Sequence, residues 1–334
     1  MLSKVFLLVC SISLLRADVT IATWNVKDCF YTADVNRRKS DFEKFFGETN
    51  SDIIALQEVC SCSDIELIAR HMNFPSPHIA ISDFVDENEP RNKFEVAIIS
   101  NYPFDGVSEI DMFPDELGSE LSDYDLDTPV NGITPRKSSR GALIVTIPKL
   151  SLTIYGIHLK SSFRAVGTRD LDNAEKREYI SAILLEEIGK RETSDPNLVH
   201  LVLGDMNVGH SDISKIGVDL EVDDIAPLSS GNDGYDDTHC LFESGVMSGF
   251  PMENLASHIK TSTYPTFPGT PIDNIYTLAD EAAKFSPAYK ASRTCGSDHL
   301  AVLTNIYELI IFALIKNISL TNTSNGGPGP KIIA

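Results

Sequence analysis

Wherever an apolar run stops in this chain of 334 residues, a residue capable of chemistry stands at or beside its end. Asn25 follows VTIATW (19–24), and Glu58 follows DIIALQ (52–57). His158 closes LTIYGIH (152–158), while Asp205 and Asn207 come just after LVHLVLG (198–204). Asp273 lies in PIDNIYT (271–277), and Asp298 and His299 directly precede LAVLTNIY (300–307). Asn25, Glu58, Asp205 and Asp298 offer hard oxygen ligands suited to Mg2+, Mn2+ or Ca2+, and no two histidines have the spacing of a zinc site. His158 and His299 titrate near neutrality, and Glu95 and Asp273 are carboxylates that can orient them and stabilise their imidazolium forms. Two histidines, several carboxylates and a divalent ion are the parts needed to hydrolyse a phosphate ester. One group activates water, another protonates the leaving oxygen, and the ion offsets charge on the phosphoryl group. Singly, each residue has an ordinary use: asparagine after a strand forms turns, aspartate caps or closes loops, and a lone histidine packs. Their shared position is what carries the reading.

The elements that must position these groups are short β-branched or apolar runs. The six runs above are joined by FEVAIIS (94–100) and ALIVTI (142–147), eight strand candidates and enough for two sheets. RRKSDFEKFFGE and RDLDNAEKREYISAILLEEIGKRE are expected to be helical; in the second, Ile180, Ile183, Leu184 and Ile188 form a stripe of period 3.6. Strands alternating with helices give an α/β class. Residues 105–140 and 208–238, rich in Asp, Ser, Gly and Pro, are expected to be loops. No Pro- or Gly-rich linker divides the apolar pattern and no repeat shows at a fixed period, so one domain is expected. In α/β architecture the strand ends are where ligands bind, because loops converge there over rigid strands.

Residues 1–17, MLSKVFLLVCSISLLRA, have the layout of a secretory signal peptide and are too short to span a membrane. Residues 18–307 then form the expected domain, and 308–334 an apolar segment followed by a tail with glycosylation acceptors at Asn317 and Asn322. The chain is expected to be secreted and monomeric, without stable membrane insertion. Its formal charge of −20 repels nucleic acid and anionic membranes at long range, so an anionic substrate has to be reached locally. Without the signal, Cys29, Cys60, Cys62, Cys240 and Cys295 remain, and two disulfides with one thiol is the simplest inventory. The acidic stretch NDGYDD (232–237) lacks the regular spacing of a calcium loop.

In order along the chain, TWNV, LQEV, FEVAIIS, SRGALIV, YGIHLKS, LGDMNV, PIDNIY and GSDHLAV resemble the endonuclease/exonuclease/phosphatase superfamily, over about residues 19–307. The resemblance implies a single-domain α/β sandwich of two packed, mostly antiparallel sheets flanked by helices, with the site at one edge. It implies that Asn25, Glu58 and Asp298 are metal-site residues and that His158 and His299 are paired catalytic histidines. Glu95 is then the partner of His158 and Asp273 that of His299. Asp205 and Asn207 hold the phosphate, the ion or the attacking water, and Arg140 contacts phosphate. Met206 stands where the family often has Phe, a volume-conserving change expected to point into packing. Cys60 and Cys62 differ from the cysteine positions of the family's secreted deoxyribonuclease-like members and are expected to clamp the loop after Glu58, with Cys29 a candidate partner.

The superfamily cleaves DNA, RNA and phospholipids with similar machinery, so substrate rests on the rim. Arg136, Lys137, Arg140, Lys160, Arg164 and Arg169 form a local basic set in an acidic chain, suited to a phosphate backbone. The expectation is a divalent-metal-dependent phosphodiesterase, a nuclease of low sequence specificity with DNA preferred over RNA. A sphingomyelinase- or phosphoinositide-type enzyme would need an exposed apolar element, for which GFPM (249–252) and Leu309 to Ile315 are the candidates. A phosphomonoesterase ranks third, and a binding protein that has lost catalysis is the alternative from another class.

Overall fold

The computed structural model describes residues 18–27, 29, 32–84, 94–112, 137–161, 171–209, 238–265 and 270–307. Residues 1–17, expected from the sequence to be a signal peptide, residues 308–334 with both sequons, the acidic stretch 232–237, and Arg136, Arg164 and Arg169 lie outside them.

The chain builds two six-stranded sheets. In one the order is β11 (Tyr289–Lys290), β12 (Val302–Tyr307), β1 (Asp18–Asn25), β2 (Ile53–Val59), β4 (Glu95–Ser100) and β3 (His78–Ile81). In the other it is β5 (Val107–Met112), β6 (Lys137–Ile147), β7 (Leu152–His158), β8 (Val199–Asp205), β10 (Asp273–Leu278) and β9 (Met252–Asn254). Every pairing is antiparallel except the central ones, β1 with β2 and β7 with β8. Position for position, the two sheets repeat one pairing pattern, although the sequence shows no repeat. Each parallel pair needs a crossover, supplied by α1 (Thr32–Arg37) and α2 (Lys39–Thr49) in one sheet and by α4 (Leu171–Ser194) in the other. Helices α3 (Cys62–His71) and α5 (Thr238–Ser244) complete the outer layers.

Alternation along the strands sorts side chains into three cores. Val19, Ile21, Ile53, Ala55, Leu152, Ile154, Val199, Leu201, Leu203 and Ile275 lie between the sheets. Their neighbours face helices: Ala22, Trp24, Ile54 and Leu56 meet α2 and α3, with Trp24 stacked on Phe45 at 4.2 Å. On the other flank Tyr155, Ile157, Val202 and Tyr276 meet α4 and α5, and Met206 is fully buried there. Because both faces are covered, the central strands are continuous apolar runs rather than alternating ones. The same parity sends Asn25, His158, Asp205 and Asp273 into the space between the sheets, where the parallel strands end.

All the strand-forming runs and both helical stretches of the sequence are found. The strands not foreseen, β3, β5, β9 and β11, are the four sheet edges, and β5 with the start of β6 falls inside 105–140, which the sequence assigns to a loop. The disulfide expectation is corrected: Cys29, Cys62 and Cys295 are thiols, which leaves no room for two bridges, and Cys29 is clamped to neither Cys60 nor Cys62. The Cys29 thiol is buried, with its Sγ 3.0 Å from a terminal nitrogen of Arg38, and burial pushes its pKa up to about 11. No helix among the described residues is long and apolar enough to cross a membrane.

Gly204 precedes Asp205 at φ +156°, and a Cβ there would lie 2.0 Å from the Ile157 carbonyl oxygen of the adjacent strand. Gly204→Ala is therefore expected to pry β7 from β8 directly beneath the chemistry, lowering unfolding free energy by about 3 kcal/mol in urea denaturation. An unchanged midpoint would show that the close approach is not required.

Candidate active site

Three strands meet in register at the site. Asp205, the last residue of β8, pairs with His158 at the end of β7 and, on its other side, with Asp273 at the start of β10. Parallel strands thus deliver their C-terminal ends and the antiparallel neighbour its N-terminal end to one edge. Asn25 arrives from β1 in the facing sheet. Asp205 Oδ2 is the hub: Asn25 Nδ2 donates to it at 3.0 Å, and it lies 3.8 Å from His158 Nε2 and 3.9 Å from His299 Nε2. Its other oxygen accepts from the Asn207 amide at 2.8 Å, fixing a turn in which Asn207 takes φ +57°.

Glu58 reaches this group by a different route. By alternation from Ile53 and Ala55 it belongs on the outer face, but the register shifts between Gln57 and Val59 and Glu58 adopts φ +62°. The bulge re-aims the carboxylate, and Asn25 Nδ2 donates to its Oε1 at 3.1 Å. One amide nitrogen therefore serves two carboxylates. The Asn25 oxygen accepts from the Lys27 main-chain N–H at 2.9 Å, which sets the amide's orientation.

The two histidines have opposite environments. His158 Nε2 lies 2.7 Å from an Arg140 terminal nitrogen. Guanidinium can only donate, so Nε2 carries the lone pair and the proton sits on Nδ1. Burial, then the Arg140 and His299 charges, hold His158 well below the usual histidine range; the Phe94 main chain opposes them, without a well-formed hydrogen bond to Nδ1. His299 Nδ1 stands 2.9 Å from Asp273 Oδ2. Burial disfavours its charge, but the carboxylates of Asp273, Asp205 and Asp298 outweigh that and raise it to about 10. His158 is neutral and His299 is an imidazolium. Burial and the Asp273 charge push Asp205 up to about 6 against His299 and the Asn25 hydrogen bond.

Arg140 also donates to the Leu159 carbonyl at 2.7 Å and lies over the Phe94 ring, 4.5 Å from its centroid; burial lowers it only to about 10, so it stays charged. Asn207 Nδ2 donates to the same carbonyl at 2.9 Å. Glu95 Oε2 accepts from the Ser82 hydroxyl at 2.5 Å and the Phe84 amide at 3.0 Å, tying β4 to the chain beyond β3. Asp298 Oδ2 faces the Lys27 ammonium at 2.5 Å and accepts from the Tyr264 hydroxyl at 3.1 Å.

A divalent cation fits this donor set. Asp273 Oδ1 is buried with no hydrogen-bond partner, and ligand atoms of Asp205, Asp273 and His299 lie within 4.8 Å of one another. With Glu58 nearby, the carboxylates gather more negative charge than His299 neutralises, and oxygen donors suit Mg2+, Mn2+ or Ca2+.

The family profile for endonuclease/exonuclease/phosphatase proteins matches residues 22–299, from the first strand to the second histidine. The chain belongs to the endonuclease/exonuclease/phosphatase family. Its fold is similar to those of several solved structures. A 3'-5' exonuclease from Neisseria meningitidis is 15% identical with a TM-score of 0.54, over 86% of this chain and 99% of that one. An AP endonuclease from Archaeoglobus fulgidus is 16% identical at 0.52, over 87% and 100%. TDP2 from D. rerio, complexed with single-strand DNA product, is 14% identical at 0.50, over 86% and 98%. No curated protein matches the sequence.

Within this family member, several supporting residues carry no sequence signal. Thr263 Oγ1 accepts from the Ile272 and Asp273 amides, both at 3.2 Å, and the Tyr264 ring stands edge-on to His299 at 4.9 Å. The Ser297 hydroxyl donates to the Asn25 carbonyl at 2.6 Å and accepts from the His299 amide at 3.0 Å. Arg177, on α4 and buried, donates to the Lys160 carbonyl at 2.7 Å.

The His299–Asp273 pair makes stability depend on pH with a definite sign. Because the folded pKa of His299, about 10, exceeds its ordinary 6.5, the stabilisation is fully present below pH 6.5 and disappears as pH rises through 10. Asp273→Asn is expected to cost about 3 kcal/mol at pH 6 in urea denaturation, with the difference from the unsubstituted protein shrinking toward pH 10. A difference independent of pH would contradict the imidazolium assignment.

Proposed function

We propose that this chain is a secreted, divalent-metal-dependent phosphodiesterase that hydrolyses nucleic acid, DNA in preference to RNA, with low sequence specificity. The observation that carries the reading is Asp205 Oδ2 standing between a neutral and a charged histidine, 3.8 and 3.9 Å from their Nε2 atoms. Groups whose environments drive their protonation apart divide into acid and base. Asp205, ionised above about pH 6, accepts the proton of the attacking water. His299 donates from Nε2 to the leaving oxygen, and Asp273 stabilises the imidazolium that precedes this transfer. Arg140 presents fixed positive charge to the phosphoryl oxygens, and His158 Nε2, accepting from Arg140, holds that guanidinium in place. Glu58 and Asp205 would hold a divalent ion, which would supply charge neutralisation and a more acidic water.

DNA is favoured by the TDP2 structure, which carries single-strand DNA product, and by the exonuclease and endonuclease activities named for the other similar folds. Arg140 and Lys160 place local positive charge at the edge of an otherwise acidic chain. The lipid reading loses one of its apolar elements: Met252 is 3% exposed and Phe250 packs against the same core, so GFPM is structural.

Incubation with plasmid DNA, RNA and sphingomyelin in Mg2+, with and without chelator, tests the reading. Nicked or linear plasmid that chelator abolishes is the expected result, with His158→Ala and His299→Ala each lowering the rate by about 10²-fold or more. Choline phosphate release with intact plasmid would overturn the substrate, and full activity in both variants would overturn the mechanism.

A further inference from the structure

We infer that Lys27 is the resident counter-cation of Asp298, so that the reaction centre takes one divalent ion, in the carboxylate group of Asp205, Asp273 and Glu58, and Asp298 is not its ligand. The inference rests on the metal-dependent reading above and refines its metal site.

Lys27 is a built feature of the site. Its amide donates to Asn25 Oδ1 at 2.9 Å, its carbonyl accepts from Arg38 at 2.9 Å, and its main chain adopts φ +52°, a conformation uncommon for lysine. Arg38, 8% exposed, also holds the Val26 carbonyl and the Cys29 sulfur. The backbone from Asn25 to Cys29 is therefore fixed from both sides, and the ammonium leaves it toward Asp298. The Lys27 side chain is 44% exposed, so it is this backbone support that sets the pair apart from other part-exposed ion pairs.

The Asp298 carboxylate is supplied at one oxygen by two donors. Oδ2 takes the Lys27 ammonium at 2.5 Å and the Tyr264 hydroxyl at 3.1 Å, while Oδ1 faces His299 Nε2 at 4.0 Å. A dication at Asp298 would meet the Lys27 ammonium already in place. Around Asp205, by contrast, Asp273 and Glu58 add two further carboxylates beside the one shared histidine, His299, and Asp273 Oδ1 has no hydrogen-bond partner. Coulomb attraction places the divalent ion in that group.

Mn2+ binding followed by electron paramagnetic resonance, with thermal melts to verify folding, tests the inference apart from activity. The unsubstituted protein should bind one Mn2+. Asp298→Asn should keep that ion with affinity changed less than about fivefold, whereas Glu58→Gln should weaken it by about 10- to 100-fold. Lys27→Gln, a milder change than Asp298→Asn, should expose Asp298 and admit a second Mn2+. Two ions in the unsubstituted protein, loss of the ion in Asp298→Asn, or one ion at unchanged affinity in Lys27→Gln would each overturn the inference while leaving metal dependence intact. Failure of the unsubstituted protein to bind any Mn2+ would overturn the metal-dependent reading itself, and this inference with it.

Discussion

Asp205 carries its carboxylate at 1% exposure, at the end of a strand whose other residues are buried on both faces. A charge so far from water is tolerated only when neighbouring groups replace its hydration. Here the replacements are the Asn25 amide, the Asn207 N–H and the nearby charge of His299. The requirement explains why strands of both sheets must end at one edge. It also explains why the register of β8 against β7 and β10 has no freedom, since a shift of one residue would send Asp205 into the helix-facing core in place of Met206.

From this constraint the protonation pattern follows. Arg140 faces one histidine and Asp273 the other, so neighbours of opposite sign drive two chemically identical rings to opposite states. Tyr264, Thr263 and Ser297 then hold the loops that carry Asp273, Asp298 and His299, and Arg38 and Arg177 hold those that follow Asn25 and His158. The pairing pattern repeats between the sheets, yet the halves supply different chemistry. One brings the Asn25 amide and the Glu58 carboxylate, the other His158 and the central aspartate.

Much of this was legible in the sequence because the central strands are apolar on both faces and therefore stop visibly where a polar residue begins. Asn25, His158, Asp205, Asp273 and His299 could be picked out for that reason, and the structure brings them together. Edge strands β3, β5, β9 and β11 were not legible, since half-exposed strands of two to six residues leave no continuous apolar run. Glu58 was found by its place after LQ, but its approach to Asn25 depends on a bulge that alternation argues against. The contacts of Glu95 with Ser82 and Phe84, and of Lys27 and Tyr264 with Asp298, join residues distant in sequence whose types are common on any surface. Cys29 shows the reverse error: a cysteine in an odd set suggested a bridge, while its burial against Arg38 keeps it a thiol.

The central claim is that one buried aspartate stands between histidines of opposite protonation. Long-range 15N–1H correlation spectra of the histidine side chains at pH 7, assigned with His158→Gln and His299→Gln, measure it directly. The account predicts a neutral His158 with its single proton on Nδ1 and a doubly protonated His299. A protonated His158, a neutral His299, or the same state for both would contradict it.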